Sequence, residues 1–227
     1  MVNYLLFDVE TTGLPLKYNA SYEYLENWPR IVQISWCVCD HTGMGDNIEE
    51  RIKDYIIKPN DFIIPDKSTE IHGITHDMAM EKGIALSVVI SEFKRDVEKC
   101  NYIVAHNLSF DRQVLLSELV RLSDIKGIDQ VKQLTQICTK DETVKYCKLR
   151  PFRYGSWKWP KLCELYYILS SCIMDEDKAH NSKYDVEILT KCFFMLLDKG
   201  LIKSCDTTKL RSGRVLQNQN NFELKIT

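Results

Sequence analysis

The sequence has few of the residues that interrupt regular structure, since 9 of its 227 residues are glycine and 6 are proline. A collagen-like or low-complexity chain contains far more of both. No apolar run approaches the roughly 18 residues that span a bilayer. The apolar segment at the start is too short for a signal peptide. We therefore expect a globular protein with no membrane segment and no signal peptide.

The sequence also lacks paired cysteines. It contains nine cysteines, an odd number, and no Cys-x-x-Cys spacing that would indicate a zinc site. They are interpreted as reduced thiols, which predicts an intracellular, reducing compartment, either the cytoplasm or the nucleus. Cys37 and Cys39 stand two apart in a predicted strand and should lie on one face.

Neither sign of charge is in large excess, because 30 Lys and Arg face 32 Asp and Glu. This balance excludes a generally basic, nucleic-acid-coating protein but allows a local basic groove. The length favours one large domain. We place this domain at residues 1–200 and regard residues 201–227 as a polar C-terminal tail. Nothing in the sequence indicates the oligomeric state.

The pattern of apolar residues predicts an α/β domain, a mixed five-stranded sheet flanked by helices. Strands are expected at residues 4–9, 30–39, 47–58, 101–105 and 134–139. Helices are expected at residues 87–99, 110–122, 161–170 and 184–199. Residues 14–29 and 123–160 show no strong periodicity and are expected to form loops.

The first candidate site is the pair Asp8 and Glu10. On a strand, residues two apart share a face, so both carboxylates point one way while Phe7 and Val9 point the other. The two charges repel each other unless a cation lies between them, and a hard divalent ion is the natural candidate. A solvated acidic pair at a sheet edge is an equally good interpretation of these residues alone.

Residues 104–111 lead from a predicted strand into a predicted helix. Asp111 falls in the first turn of this helix, where the helix dipole stabilises a negative charge. That interaction alone would explain it. His106 is expected to be a hydrogen-bonded polar residue beside the strand, and Asn107 or Ser109 can cap the helix.

Residues 179–185 form the entrance of the last helix. His180 and Asp185 are five residues apart, so on a continuous helix their side chains would diverge. They can converge only if His180 precedes a helix capped by Asn181 or Ser182. A histidine beside a fixed carboxylate suits a general base, although a histidine before a helix is more often a surface residue.

The combined pattern is more specific than its parts. It has the order Asp-x-Glu, Asp, His-x4-Asp, with Thr-Thr-Gly after the first pair and Asn-x-x-Phe-Asp around the third carboxylate. This resembles the DEDDh class of 3'-5' exonucleases, which includes the proofreading epsilon subunit of bacterial DNA polymerase III, ribonuclease T and oligoribonuclease. The resemblance covers residues 4–197.

The resemblance implies a ribonuclease H-like fold with two Mg²⁺ or Mn²⁺ ions. By motif position, the metal-binding carboxylates would be Asp8, Glu10, Asp111 and Asp185, and His180 would be the catalytic base. Substrate-binding groups are expected around the metals. We assign this role to Thr11, Thr12 and Gly13 through backbone N–H groups and hydroxyls, to Leu14 as a wedge against a base, and to His72 as a contact of the terminal nucleotide. The segment around His72 could also be an ordinary turn before a helix.

The expected function is 3'-5' exonuclease activity on single-stranded or frayed DNA, in a proofreading or repair-like role, with a DNA polymerase as a candidate partner. Trimming of RNA 3' ends is the nearest alternative, since the sequence does not show a 2'-OH contact. A third hypothesis is a non-catalytic module that binds a polymerase or a nucleic-acid end. The aromatic and basic segment 150–159 could hold single-stranded nucleic acid or pack as a loop cover.

Overall fold

The computed structural model describes residues 2–40, 47–153, 155–175 and 178–202. Its five main strands are β1 (Asn3–Thr11), β2 (Ile31–Asp40), β3 (Lys53–Ile56), β4 (Tyr102–Ala105) and β5 (Thr135–Cys138). They form one sheet in the order β3-β2-β1-β4-β5. β2 runs antiparallel to β1 and β3, whereas β4 runs parallel to β1 and β5. The predicted mixed five-stranded sheet is therefore confirmed. A separate hairpin pairs β6 (Pro151–Arg153) with β7 (Ser156–Trp157).

Helices flank this sheet. They are α1 (Ile48–Arg51), α2 (Asp66–His72), α3 (His76–Lys82), α4 (Leu86–Val97), α5 (Leu108–Arg121), α6 (Ile125–Gln133), α7 (Thr139–Glu142), α8 (Val144–Cys147), α9 (Leu162–Ser170) and α10 (Ser182–Asp198), with a 3-10 turn at Leu25–Asn27. The four predicted helices are confirmed as α4, α5, α9 and α10.

Two predictions of local structure are wrong. Residues 47–58 do not form one strand, because the segment begins with α1, whose Ile48 packs in the same apolar cluster as Ile52, four residues on. Residues 123–160 are not all loop, because they contain α6 and two short helices. Asp124 caps α6 by accepting from the N–H of Gly127. Two apolar residues of α6, Ile128 and Val131, pack on the core, whereas Ile125 at its start is exposed.

The strand β1 divides the core into two layers. Its odd residues Leu5, Phe7 and Val9 pack in the cluster that contains residues of α4 and α5. Its even residues Tyr4 and Leu6 pack in the cluster that contains residues of α9 and α10. Because successive side chains of a strand alternate in direction, the next even residues of β1 emerge on the α10 side.

The central strand is longer than its parallel neighbour. Pairing between β1 and β4 runs from Tyr4↔Tyr102 to Leu6↔Val104, and β4 ends one residue later. The chain then turns at Asn107, with φ 90, into α5. The last residues of β1 therefore project past β4, and the first turn of α5 lies beside them.

In the described ranges no helix is long and apolar enough to cross a membrane. The eight cysteines in these ranges are free, and the Sγ atoms of Cys37 and Cys39 lie 3.9 Å apart, which confirms that they share a face. The compartment stays a prediction, as does the domain boundary at residue 200. Residues 203–227, most of the predicted tail, lie outside the described residues.

A buried carboxylate joins α5 to the start of β2. Glu118 is fully buried, and its Oε1 accepts from Arg30 Nε at 2.8 Å and from the backbone N–H of Ile31 at 3.1 Å. Arg30 is in turn bonded to the turn after β1, since its backbone N–H donates to Thr12 Oγ1 at 3.0 Å. Glu118 thus fixes the distance between α5 and the end of β1.

We expect Glu118→Ala to lower the free energy of unfolding by about 1–3 kcal/mol, because it leaves the buried N–H of Ile31 without its acceptor and leaves Arg30 paired only with the exposed Asp61. Urea denaturation measures this change. Glu98→Ala is the matched control, since Glu98 makes an exposed ion pair with Lys126 at 3.6 Å. Exposed pairs contribute about 0–1 kcal/mol. Equal effects of the two substitutions would contradict the anchoring role of Glu118.

Candidate active site

The strand β1 places Asp8 and Glu10 on the face that α10 covers. In the antiparallel ladder Asp8 lies opposite Ser35 and Glu10 lies opposite Gln33. Opposed residues of two strands share a face. Phe7 and Val9 point into the other core layer, as predicted.

The N-terminus of α10 is fastened to this same face. The hydroxyls of Ser182 and Ser35 lie 2.6 Å apart, and the backbone N–H of Ser182 donates to Gln33 Oε1 at 3.3 Å. Asn181 is the residue that caps the helix, because its Oδ1 accepts from the N–H of Tyr184 at 3.3 Å. These bonds bring the first turn of α10, which carries Asp185, onto the carboxylate face of β1.

His180 precedes the helix, as its convergence with Asp185 requires. It is exposed and adopts a left-handed backbone conformation with φ 62. Its backbone N–H donates to the carboxylate of Asp185, which fixes the turn. One ring nitrogen of His180 and one carboxylate oxygen each of Glu10 and Asp185 all lie within 4.8 Å of one another.

Asp111 approaches from the opposite side of β1. It lies in the first turn of α5 and only 3% of it is exposed. Its carboxylate accepts from the backbone N–H of Val9. Three separate segments of the chain thus deliver four carboxylates and one histidine to the end of the central strand.

These carboxylates oppose each other's ionisation. Burial, followed by the charges of Asp111, Asp185 and Glu10, raises the pKa of Asp8 well above its usual value. Burial and the same two neighbouring aspartates raise the pKa of Glu10 to about 9. Burial is also the largest cause that raises the pKa of both Asp111 and Asp185 to about 7.

This donor set fits divalent cations. Carboxylate oxygens are the preferred ligands of hard cations such as Mg²⁺ and Mn²⁺. Buried carboxyl groups whose pKa values are raised retain protons, and bound cations can replace these protons and offset the charge of the ionised carboxylates. Glu10, Asp185 and His180 lie close enough to share one ion, with Asp8 and Asp111 beside them.

The N–H groups and hydroxyls of the turn after β1 are expected to bind substrate, but some of them already bond within the protein. The N–H of Thr12 donates to the carbonyl of Arg30 at 3.0 Å, so this donor is already used. The hydroxyl of Thr12 accepts from the N–H of Arg30 and keeps its O–H for donation. The hydroxyl of Thr11 donates to the carbonyl of Gly13 at 2.7 Å. Gly13 adopts φ 148, and the space that a side chain would fill there is open. The backbone at Gly13 is therefore accessible to a close ligand.

Leu14 and His72 flank this turn. Leu14 is 73% exposed. His72 ends α2, is buried, and faces the backbone of Thr11. Its Nδ1 accepts from the N–H of Ile74 at 3.1 Å, which places the proton of a neutral ring on Nε2. Burial lowers the His72 pKa and keeps the ring neutral.

His106 makes the hydrogen bonds expected of a structural residue. Its Nδ1 lies 2.9 Å from Thr139 Oγ1 and its Nε2 lies 3.0 Å from the carbonyl of Pro160. Burial lowers the His106 pKa to about 4, so the ring is neutral. The prediction that it is a satisfied polar residue beside the strand is confirmed.

Sequence reasoning missed one cation at the site. Lys140 lies in α7, just after β5, and its Nζ donates to Asn107 Oδ1 at 2.6 Å. The side chain of Asn107 therefore binds Lys140 and does not cap α5. Its positive charge lowers the pKa of Asp111. No spacing in the sequence links residue 140 to residue 111, because only the parallel pairing of β4 with β5 brings them together.

An exonuclease family model of the ribonuclease T type matches residues 5–193, which is most of the chain. No curated protein sequence matches. Solved structures share the fold. E. coli exonuclease I with a dA16 oligonucleotide has 18% identity and a TM-score of 0.63, over 88% of this chain and 42% of that chain. Exonuclease I of Methylocaldum szegediense has 18% identity and a TM-score of 0.60, over 88% and 41%.

A zinc-bound complex of E. coli exonuclease I with single-stranded DNA is similar to the same extent, with 16% identity and a TM-score of 0.59, over 88% of this chain and 41% of that chain. The chain thus spans about two fifths of the length of these solved exonucleases. The likeness extends to the fold and confirms its ribonuclease H-like type.

The raised carboxyl pKa values predict how stability depends on pH when metal is removed. In the unfolded chain an aspartate has a pKa of about 3.9, so between that pH and its raised folded pKa the folded chain binds more protons than the unfolded chain. Stability must therefore fall as pH rises. We expect the thermal midpoint in EDTA to fall from pH 6 to pH 9, and Mg²⁺ or Mn²⁺ to reduce this fall. A midpoint that rises over this interval would contradict the repulsion.

The matched variant is Asp8→Asn, which removes one repelling charge. In EDTA at pH 8 it should unfold at a higher temperature than the wild type, where each kcal/mol of stabilisation raises the midpoint by about 2–4 °C. Asp129→Asn on α6 is the control, because Asp129 is exposed and remote from β1. The metal-dependent rise of the midpoint should shrink in Asp8→Asn and persist in Asp129→Asn.

Proposed function

The chain belongs to the exonuclease family whose model it matches, and from this premise we propose that it is a metal-dependent 3'-5' exonuclease acting on single-stranded or frayed DNA ends. The observation that carries the proposal is the convergence of Asp8, Glu10, Asp111 and Asp185 with His180 at the end of the central strand. The exonuclease I structures hold single-stranded DNA or a dA16 oligonucleotide, which supports single-stranded DNA as the substrate class.

In the proposed mechanism the four carboxylates would hold two divalent cations. Such cations, when bound between carboxylates, favour ionisation of the attacking water and stabilise charge on the leaving 3' oxygen. The raised pKa values of the carboxylates keep the pocket ready to exchange protons for cations, because the repulsion that raises them is relieved when positive charge enters.

His180 would act as the base. The ring nitrogen that faces Glu10 and Asp185 takes the proton of the attacking water. The carboxylate of Asp185 fixes the His180 backbone, while the exposed ring remains in contact with solvent. The proton can therefore leave to bulk water after each cycle.

Recognition of a strand end would come from the side of the site next to β2. The open space beside Gly13 admits a close sugar or phosphate, and Leu14 offers an apolar edge to a base. The neutral ring of His72 carries its proton on Nε2, which is buried and faces the Thr11 backbone, so His72 would act on the terminal nucleotide through the position of the Thr11 turn. A DNA polymerase partner stays a prediction from the resemblance alone.

The proposal is tested with matched single-stranded DNA and RNA oligomers carrying a label at the 5' end. With Mg²⁺ or Mn²⁺ the purified chain should shorten DNA one nucleotide at a time from the 3' end, and it should act faster on DNA than on RNA. EDTA should abolish the reaction. Faster shortening of RNA would favour the exoribonuclease alternative, and no shortening of either would favour a non-catalytic binding module.

The active-site control in this assay is Asp8→Asn. It should reduce kcat by more than about 100-fold, because a metal site supplies several kcal/mol of transition-state stabilisation. Asp129→Asn should retain wild-type activity. Normal cleavage by Asp8→Asn would exclude the proposed site, although it would not contradict the proposal that the chain is an exonuclease.

We expect His180→Asn to reduce kcat by about 100-fold or more, as the loss of a general base does. Asparagine is the appropriate replacement, because it tolerates the left-handed conformation that His180 adopts, whereas alanine would add backbone strain. Steady-state kinetics at saturating metal measure the effect, and the thermal midpoint should match that of the wild type. A loss of less than about tenfold would contradict the role as base.

A further inference from the structure

Two tryptophans of the chain are exposed on one short segment. Trp28 and Trp36 are buried, with 3% and 0% exposed, whereas Trp157 and Trp159 are 44% and 57% exposed. Exposure of these rings shows that at this point the aromatic segment does not pack as a loop cover. Tyr154 and the side chains of residues 151–153 lie outside the described part of the chain.

The segment that carries Trp159 is fastened on both sides. His106, at the end of β4, bonds the carbonyl of Pro160 at 3.0 Å. Glu164 on α9 accepts from the backbone N–H of Lys161 at 2.8 Å and from Lys158 Nζ at 2.5 Å. Trp159 is therefore an exposed ring on a fixed backbone, which lowers the entropy cost of stacking on it.

Trp159 is connected to the carboxylate site through a single side chain. Lys140 Nζ lies 5.7 Å from the centre of the Trp159 ring and donates to Asn107 Oδ1 at 2.6 Å. Asn107 immediately precedes α5, whose first turn holds Asp111. An ammonium group has three donors, so Lys140 keeps two for other acceptors.

The position of this pair in the sheet decides which part of a substrate it can meet. The carboxylates belong to the end of β1, the third of five strands. Gly13, Leu14 and His72 lie toward β2, whereas Lys140 and Trp159 lie beside the ends of β4 and β5. A nucleic-acid strand whose last nucleotide is on the β2 side and whose scissile phosphate is at β1 must leave across β4 and β5.

We propose that Trp159 and Lys140 form a subsite for the nucleic-acid strand upstream of the terminal nucleotide, in which the indole stacks on a base and the ammonium binds a backbone phosphate. This inference rests on the proposed exonuclease function. Stacking on an aromatic ring is tolerant of sequence because every base has a π face, so the subsite holds single strands of any sequence.

The test compares two substrates in the full chain with metal. One is a single-stranded DNA oligomer of about ten nucleotides, a length that such binding surfaces cover. The other is a nucleoside 5'-monophosphate p-nitrophenyl ester, which offers one nucleotide and no upstream strand. Trp159→Ala should lower the ratio of kcat/KM for the oligomer to kcat/KM for the ester by about tenfold, mainly through KM. Trp159→Phe should restore most of the ratio.

The control is Tyr167→Ala on α9, because Tyr167 is exposed to the same degree, 57%, and has no place in the proposed site. Its ratio should equal that of the wild type. Lys140→Gln should reduce the slope of log KM against log salt concentration by about 0.7, the value for one phosphate contact on a single strand. A ratio in Trp159→Ala within a factor of about two of the wild type would overturn the subsite.

A binding measurement separates this inference from the proposed function. Fluorescence anisotropy of the labelled oligomer is recorded in EDTA with Asp8→Asn and with the double variant Asp8→Asn, Trp159→Ala. About tenfold weaker binding by the double variant supports the subsite even if the wild type hydrolyses neither substrate. Equal binding by the two variants overturns the subsite even if the wild type is an active exonuclease.

Discussion

The arrangement of the whole chain depends on holding four carboxylates together against their mutual repulsion. Burial and neighbouring negative charge raise the pKa of Asp8 and Glu10, so the metal-free pocket is unfavourable at neutral pH. Lys140 and the N–H of Val9 act on Asp111 alone and do not balance the other three. The remaining energy must come from contacts outside the pocket, or from cations inside it.

Those outside contacts meet on strand β2. Ser35 and Gln33 bind the N-terminus of α10 through Ser182, and the N–H of Ile31 binds α5 through Glu118. Hydrogen bonds to β2 thus hold both helices that carry an aspartate of the site, and β2 is paired along its length with β1. Because the bonds involve buried groups, breaking them would leave polar atoms without partners, and this cost opposes the repulsion.

The parts of the site that follow a local period could be predicted from the sequence. Asp8 and Glu10 share a face because strand side chains alternate, and the five-residue spacing of His180 and Asp185 requires the histidine to precede the helix. The position of Lys140 and Trp159 beside the carboxylates could not be found this way. The pairing of β4 with β5 brings Lys140 there, and a hydrogen bond between His106 and Pro160, 54 positions apart, holds the segment that carries Trp159. The sequence does not predict helix α6 for a different reason. Its two core-facing residues, Ile128 and Val131, form too short an apolar pattern to indicate a helix, and their burial depends on packing against the core.

The two sides of β1 differ in a way that decides whether the site accepts the end of a nucleic-acid strand or its interior. On the β2 side, the buried ring of His72 and the turn at Thr11 to Gly13 limit how far a bound strand can continue. On the β5 side, Trp159 is open to solvent on a fixed backbone. A continuous strand would have to pass both sides, whereas a strand end needs only the open one. This asymmetry supports exonucleolytic over internal cleavage, because internal cleavage would require the β2 side to open as well.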